Sequence, residues 1–324
     1  MTSASLSAPV APSPAPPAAP RARAWWRDAL EVAAWMACLA TTAFFLASGA
    51  LVWTVPADAL NAAGRYAGLV ATVLLLFQVV LASRAPWIER LMGHDHALVA
   101  HARFGRAAFL LLLAHAVILT LTWGVPEGRN VAEQTAYFLA HTQWIALSIL
   151  GLVLFVVVIL TSLAAARRRW PYEVWHAIHL LAYAALLLSA FHQFTDGSTF
   201  YGGGPALWLW IGMYVLAFGS LVVWRVLMPL AQTLTRRLRV EQVLAHPGGT
   251  FSVIVAGPGV RRVRGLAGQF MLWRFWTDEL WMVANPYSFS AAPGTDLLRI
   301  TVRPTGDHSR ALASVAPGTR VTAT

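Results

Sequence analysis

The sequence predicts an all-α bundle of six membrane-spanning helices followed by a small antiparallel β-barrel. Three observations carry this prediction. Charged residues make up 12% of the 324 residues and hydrophobic residues 58%, about half the charge of an ordinary soluble domain. The apolar residues fall in six long runs, each near the roughly 20 residues that cross a bilayer core as a helix. After Arg239 the texture changes to short β-rich runs divided by turns. A mean hydropathy of +0.59 also excludes a disordered chain, whose mark is low hydrophobicity.

The chain begins with an Ala/Pro/Ser-rich tail over 1–24. It has too little apolar surface to order itself, and it lacks the basic start and apolar stretch of a signal peptide. The membrane domain is expected over 25–230, with spans at about 30–53, 65–83, 101–123, 142–164, 173–194 and 206–228. Pro56, Pro86, Pro126, Pro171 and the Gly-rich run 202–205 punctuate the linkers. Strands are expected at 250–255, 269–275 and 297–302, with turns at 246–249, 257–259 and 292–295. They belong to a barrel over 238–324.

Net charge is +10, and all 24 basic residues are arginine. With the N-terminus inside, fourteen arginines fall on inner segments, among them Arg167, Arg168 and Arg169, and only Arg65 and Arg129 fall outside. This bias places both termini on the cytoplasmic face. It accounts for the basic character without nucleic acid as a partner. An integral protein of a bacterial inner (plasma) membrane is the expectation. The single cysteine, Cys38, excludes an internal disulfide and a Cys-ligated cluster built from this chain alone. Trp25, Trp26, Trp53, Trp123 and Trp170 near span ends read as an interfacial belt.

Ionisable groups within the membrane are costly and mark function. The third span carries His101 and His115, fourteen residues or about 21 Å apart along a helix, and the fifth carries His179 and His192, thirteen or about 20 Å apart. These spans run in the same direction, so the histidines pair at two levels, His101 with His179 and His115 with His192. Each level can clamp one haem iron through two axial imidazoles. Thirteen residues leave His192 well off the His179 face of an ideal helix, which calls for a π-bulge, a kink or a rotated ring. His176, one turn from His179, is the rival ligand. A non-redox metal transporter with intramembrane histidines is an alternative, and His94-Asp95-His96 reads as a solvated turn.

The pattern His101-x13-His115, the segment Tyr-Glu-Val-Trp-His-Ala-Ile-His-Leu over 172–180, and His192 thirteen beyond His179 resemble the ferric reductase/NADPH oxidase transmembrane family. The resemblance implies two b-type haems on the third and fifth spans, with electrons passing from cytoplasmic reduced FAD to an external acceptor such as ferric chelate or oxygen. NADPH oxidases often carry a further histidine one turn past the outer third-span ligand. Leu119 stands there, which favours metal reduction.

Residues 285–293, Asn-Pro-Tyr-Ser-Phe-Ser-Ala-Ala-Pro, resemble the flavin signature of ferredoxin-reductase-type barrels, and 266–270 resemble the strand entry that precedes it. The resemblance implies that Asn285, Pro286, Tyr287 and Ser288 border the isoalloxazine, with Ser288 near N5 and Tyr287 flanking the ring. Asn285 replaces the family's usual His or Arg. Arg303, Gly306 and Ser309 would receive the FAD pyrophosphate. The family's nucleotide-binding lobe is expected to be absent, since the chain ends where it would begin, so NAD(P)H would act through a missing lobe or a separate nucleotide-binding or reductase partner. A dihaem b-type subunit exchanging electrons with quinone or such a partner is the remaining alternative.

Overall fold

The computed structural model describes residues 24–49, 55–163, 171–200, 203–263, 268–281, 283–291 and 296–323. The tail expected through residue 24 (all but its last residue), Trp53, the 167–169 arginines, Trp170 and the 292–295 turn lie outside them. The chain divides into two compact units, one of residues 1–81 and 86–209, the other of Ala82–Ala85 and Trp210–Thr324.

The helices of the first unit are α1 (Ala24–Ala47), α2 (Pro56–Ala82), α3 (Pro86–Met92), α4 (His94–Gly124), α5 (Val131–His141), α6 (Gln143–Ser162) and α7 (Tyr172–Thr195). Then α8 (Pro205–Val222) begins. It continues through a π-helical turn, Val223–Leu227, into α9 (Met228–Arg236). Six helical stretches are long and apolar enough to cross a membrane: Asp28–Ala47, Pro56–Ala82, His96–Glu127, Gln143–Ser162, Tyr172–Thr195 and Pro205–Arg236. Prolines open α2, α3 and α8, where the missing N–H costs nothing.

The most enclosed of these spans is α2. Buried residues fill 67% of its most apolar stretch, against 11–28% in the other five. Its small residues allow this. A Cβ on Gly64 would stand 2.8 Å from Ile118 Cγ2 of α4, so the two backbones pack at a distance only glycine permits. A similar contact joins α6 and α7, where a Cβ on Gly151 would meet Ala185 O at 2.7 Å. Hydroxyls in the spans return to their own helices, as Thr41 does to Ala37 O and Thr72 to Gly68 O. Each then carries no unsatisfied donor into the apolar layer. Arg103 of α4 pairs with Glu31 of α1.

One helix was not foreseen. The segment between the third and fourth spans folds as α5, opened by a capping box in which Asn130 Oδ1 accepts from Glu133 N at 3.0 Å and Glu133 Oε2 accepts from Asn130 N at 2.9 Å. His94-Asp95-His96, expected as a solvated turn, forms the first turn of α4.

In the second unit, β1 (Leu238–Ala245), β2 (Phe251–Ala256), β3 (Phe270–Phe275), β4 (Asn285–Ser288), β5 (Leu297–Val302) and β6 (Arg320–Ala323) form one sheet, with α10 (Asp307–Ala313) between the last two strands. The strand order is β4-β3-β6-β1-β2-β5, and every pairing is antiparallel. The sheet is not closed into the expected barrel. Its two edges meet just past β4, at an isolated bridge of Phe289 to Ile300 and a bond from Ser290 N to Arg299 O of 2.9 Å. The edge strand β4 is four residues long and contains Pro286, which has no N–H to extend a ladder.

Alternation along β5, with Leu298, Ile300 and Val302 buried, sends one face into a core shared with Leu238, Val253 and Trp273. α9 is fastened to β6 by a Thr233–Thr322 hydroxyl bond of 2.8 Å and by Arg236 Nη1 donating to Ala323 O at 2.6 Å. Arg237 turns left-handed at φ 48° to end the helix. Gly259 N then caps Arg236 O at 2.9 Å.

Candidate haem-binding site

The four intramembrane histidines meet in the two pairs that their spacing predicts. His101 on α4 and His179 on α7 have ring centroids 6.1 Å apart and planes at 58°. His115 and His192, farther along the same helices, are 6.2 Å apart with planes at 32°. A five-membered ring with bonds of about 1.33 Å has a radius of about 1.1 Å. Two such radii and two metal–imidazole bonds of about 2.0 Å sum to about 6.2 Å. Both pairs therefore match the separation of two imidazoles on one axis through a metal, and the residues fit a bis-histidine haem at each level.

Of the three accommodations that the 13-residue spacing calls for, a π-bulge is not found in the fifth span. α7 is continuous from Tyr172 to Thr195, and the π-helical turn lies instead at the end of the sixth span. His176 stacks on Tyr172 at 5.6 Å with planes 7° apart, while His179 is the residue whose ring lies 6.1 Å from His101.

Hydrogen bonds fix which nitrogen faces inward in two of the four rings. His115 Nδ1 lies 2.9 Å from Gly64 O. A carbonyl only accepts, so Nδ1 holds the proton and Nε2 keeps its lone pair. His179 Nδ1 lies 3.3 Å from Ser162 Oγ. That hydroxyl gives its one proton to Val158 O at 2.6 Å, so toward His179 it too only accepts. Both rings thus present an unprotonated Nε2, the form that binds a metal. Nδ1 of His101 and of His192 is buried without an in-line partner. Backbone groups of Gln78 and Ser189 stand by these rings as weak contacts.

Sequence reasoning missed the residues that hold these rings. Gly68 lies against His115, and a Cβ there would stand 2.7 Å from His115 Cε1 and 2.9 Å from Cγ. The Gly64-x3-Gly68 spacing was the available signal, since small residues four apart mark close helix packing. Trp175 stacks on His179 at 5.2 Å and donates from Nε1 to Ser162 Oγ at 3.3 Å. No pattern within one helix would have joined Ser162 on α6 to these α7 residues.

Outside the histidine pairs, Arg65 reaches Thr199 Oγ1 at 3.4 Å and lies over Phe45. Arg129 donates to the buried Gln134 at 3.1 Å and stacks over Tyr137. The free Cys38 is buried.

On the sheet, Tyr287, Asn285 and His308 line a shallow surface hollow with Trp273, Leu280 and Leu312. Burial pushes the Tyr287 phenol up. Pro286, Ser288 and Arg303 are exposed. Ser309 Oγ accepts from Gly306 N and donates to Gly306 O, both at 2.9 Å, so it caps α10 and is not directed outward. Sites that enclose a drug-sized ligand run to about 300–1,000 Å³. The hollow encloses no such space, so the sheet offers FAD an open surface and not a preformed pocket for an isoalloxazine.

Residues 67–190, which include His101, His115 and His179, match the family described as ferric reductase like transmembrane component. The Probable metalloreductase AIM14 of Yarrowia lipolytica (strain CLIB 122 / E 150) is 24% identical over 314 residues. That match covers 93% of this chain and 52% of the relative, so the chain spans about half the length of this relative.

Proposed function

We propose that the chain is a transmembrane oxidoreductase with two b-type haems in its membrane unit, a reading supported by the match of residues 67–190 to the ferric reductase like transmembrane component family. The observation that carries the reading is the pair of histidine levels at 6.1 and 6.2 Å. When bound, the haems supply one-electron relay chemistry. The chain's part is to hold each iron between two imidazoles and to fix their tautomers through Gly64 and Ser162. His101 with His179 and His115 with His192 would each hold one iron, and the haems would then supply outer-sphere electron transfer to the external acceptor. A ferric chelate is the favoured acceptor, given the metalloreductase relative and Leu119 one turn past His115.

The test is a dithionite-reduced minus oxidised spectrum with haem quantification on the purified chain. Two low-spin haems per chain are expected. His115→Leu should leave one, at the His101–His179 level. Colourless protein from haem-replete expression refutes the reading.

FAD, as the proximal donor reduced by NAD(P)H, is the second part of the proposal. It would be held at the surface by residues of β4 and of the loop after β5, among them Tyr287, Ser288 and Arg303. Ser288→Ala should then loosen FAD and leave the haem spectrum unchanged. The lack of an enclosed pocket beside Tyr287 favours a second reading, a dihaem subunit served by a separate reductase partner. Purified chain holding two haems and no flavin would select it.

A further inference from the structure

We propose that Ser162 sets the reduction potential of the haem at the His101–His179 level, and that Trp175 moderates its effect. The inference rests on the haem assignment above. Of the four rings, His115 gives its Nδ1 proton to a backbone carbonyl, a partner that no side-chain substitution removes. His101 and His192 have no in-line partner at Nδ1. His179 is the one ligand of the four whose outer nitrogen meets a side chain, the Ser162 hydroxyl at 3.3 Å.

The proton inventory at Ser162 defines the device. A serine hydroxyl has one proton and two lone pairs. The proton goes to Val158 O at 2.6 Å, and the lone pairs serve two donors at equal distance, His179 Nδ1 and Trp175 Nε1, each at 3.3 Å. The two donors compete for one oxygen. A stronger bond at Nδ1 puts more electron density on Nε2, which raises ligand basicity and favours the ferric state. Donation from Trp175 draws density from the same oxygen and weakens its hold on His179. The indole also stacks on the His179 ring at 5.2 Å, so it keeps the ring oriented while it competes.

Opposite shifts follow from two substitutions. Ser162→Ala removes the acceptor, and the potential of that haem should rise. Trp175→Phe keeps an aromatic ring on His179 and frees the oxygen for it alone, and the same potential should fall. Ser162→Thr keeps the hydroxyl and should return the wild-type value. A purely structural role would not move one potential in opposite directions while sparing the other.

The experiment is a spectroelectrochemical titration of the full chain, with haem per chain quantified first. The expected result is two resolved potentials, one moving up in Ser162→Ala and down in Trp175→Phe, the other fixed. Two bound haems with both potentials unmoved in Ser162→Ala, or both variants shifting the same way, overturns the inference and leaves the haem reading intact. A wild type without haem overturns both. If Ser162→Ala loses the haem, the direction of Trp175→Phe decides.

Discussion

Gly68→Ala gives the sharpest test of how α2 shapes the ligand frame. The added Cβ would stand 2.7 Å from His115 Cε1. Relaxed carbon–carbon contact is about 3.5–4.0 Å, so ring and methyl must separate by about 1 Å. The ring cannot yield freely, because Nδ1 is bonded to Gly64 O at 2.9 Å on the same helix. Either that bond breaks or α4 moves off α2. In both cases Nε2 leaves an axis on which a bond of about 2.0 Å must form. Alanine is itself the better helix former by about 1 kcal/mol, so α2 should remain helical while the overpacking costs about 1–3 kcal/mol. Haem per chain by pyridine haemochrome, with far-ultraviolet circular dichroism, should show one haem and unchanged helix content. Gly212→Ala is the control, since a Cβ there meets nothing within 4 Å. Two haems in Gly68→Ala with a wild-type spectrum would refute the close-contact argument.

Other perturbations probe the packing and the sheet. Gly151→Ala, whose Cβ would meet Ala185 O at 2.7 Å, should destabilise the α6–α7 contact by about 1–3 kcal/mol, seen as a lower melting temperature in detergent. Ile300→Val, at a fully buried position, should cost about 0.5–1.5 kcal/mol, read from the same melts. Burial raises the Tyr287 pKa, so the folded state holds this proton more tightly than the unfolded chain. Its contribution is fully present below about pH 10, the unfolded value, and is lost as pH rises through the folded pKa. Tyr287→Phe should flatten the alkaline limb of stability against pH, and an unchanged limb would remove Tyr287 as its source.

The six spans were legible because a membrane imposes one rule, length and apolarity together, on each helix separately. The histidine pairs were legible for a related reason. Rise per residue converts sequence distance into depth, so 101/115 and 179/192 had to fall at two shared levels. How the fifth span brings His192 to His115 was not legible, because thirteen residues on an ideal helix leave His192 off the His179 face. α5 escaped notice although Asn130 and Glu133 carry its start signal, since an eleven-residue segment between spans reads as a loop by hydropathy. Local alternation foretold β5 residue for residue, but closure of the sheet depends on how β4 meets β5 across the chain. A four-residue edge strand holding Pro286 leaves that meeting to the Phe289–Ile300 bridge and the Ser290–Arg299 bond beside it.

α2 supplies none of the four histidines, yet it contacts the helices that carry them at both levels. α2 gives His115 its hydrogen-bond acceptor at Gly64 and the bare surface it rests on at Gly68. One turn on, Thr72 Oγ1 accepts from Gln193 Nε2 at 3.3 Å, tying α2 to the residue after His192. Farther along, the buried Gln78 stands 2.9 Å from where a Cβ on Gly105 would be, one turn from His101. Both levels are thus framed by one helix, and it is the most enclosed of the six. A haem level built between two lipid-facing helices alone would be free to change width. With α2 behind α4 at both depths, the separation of the imidazoles is set by backbone contacts that tolerate little movement. Substitutions on α2 should therefore alter haem retention at a chosen level more than equivalent changes on the lipid-facing surfaces of α6 or α8.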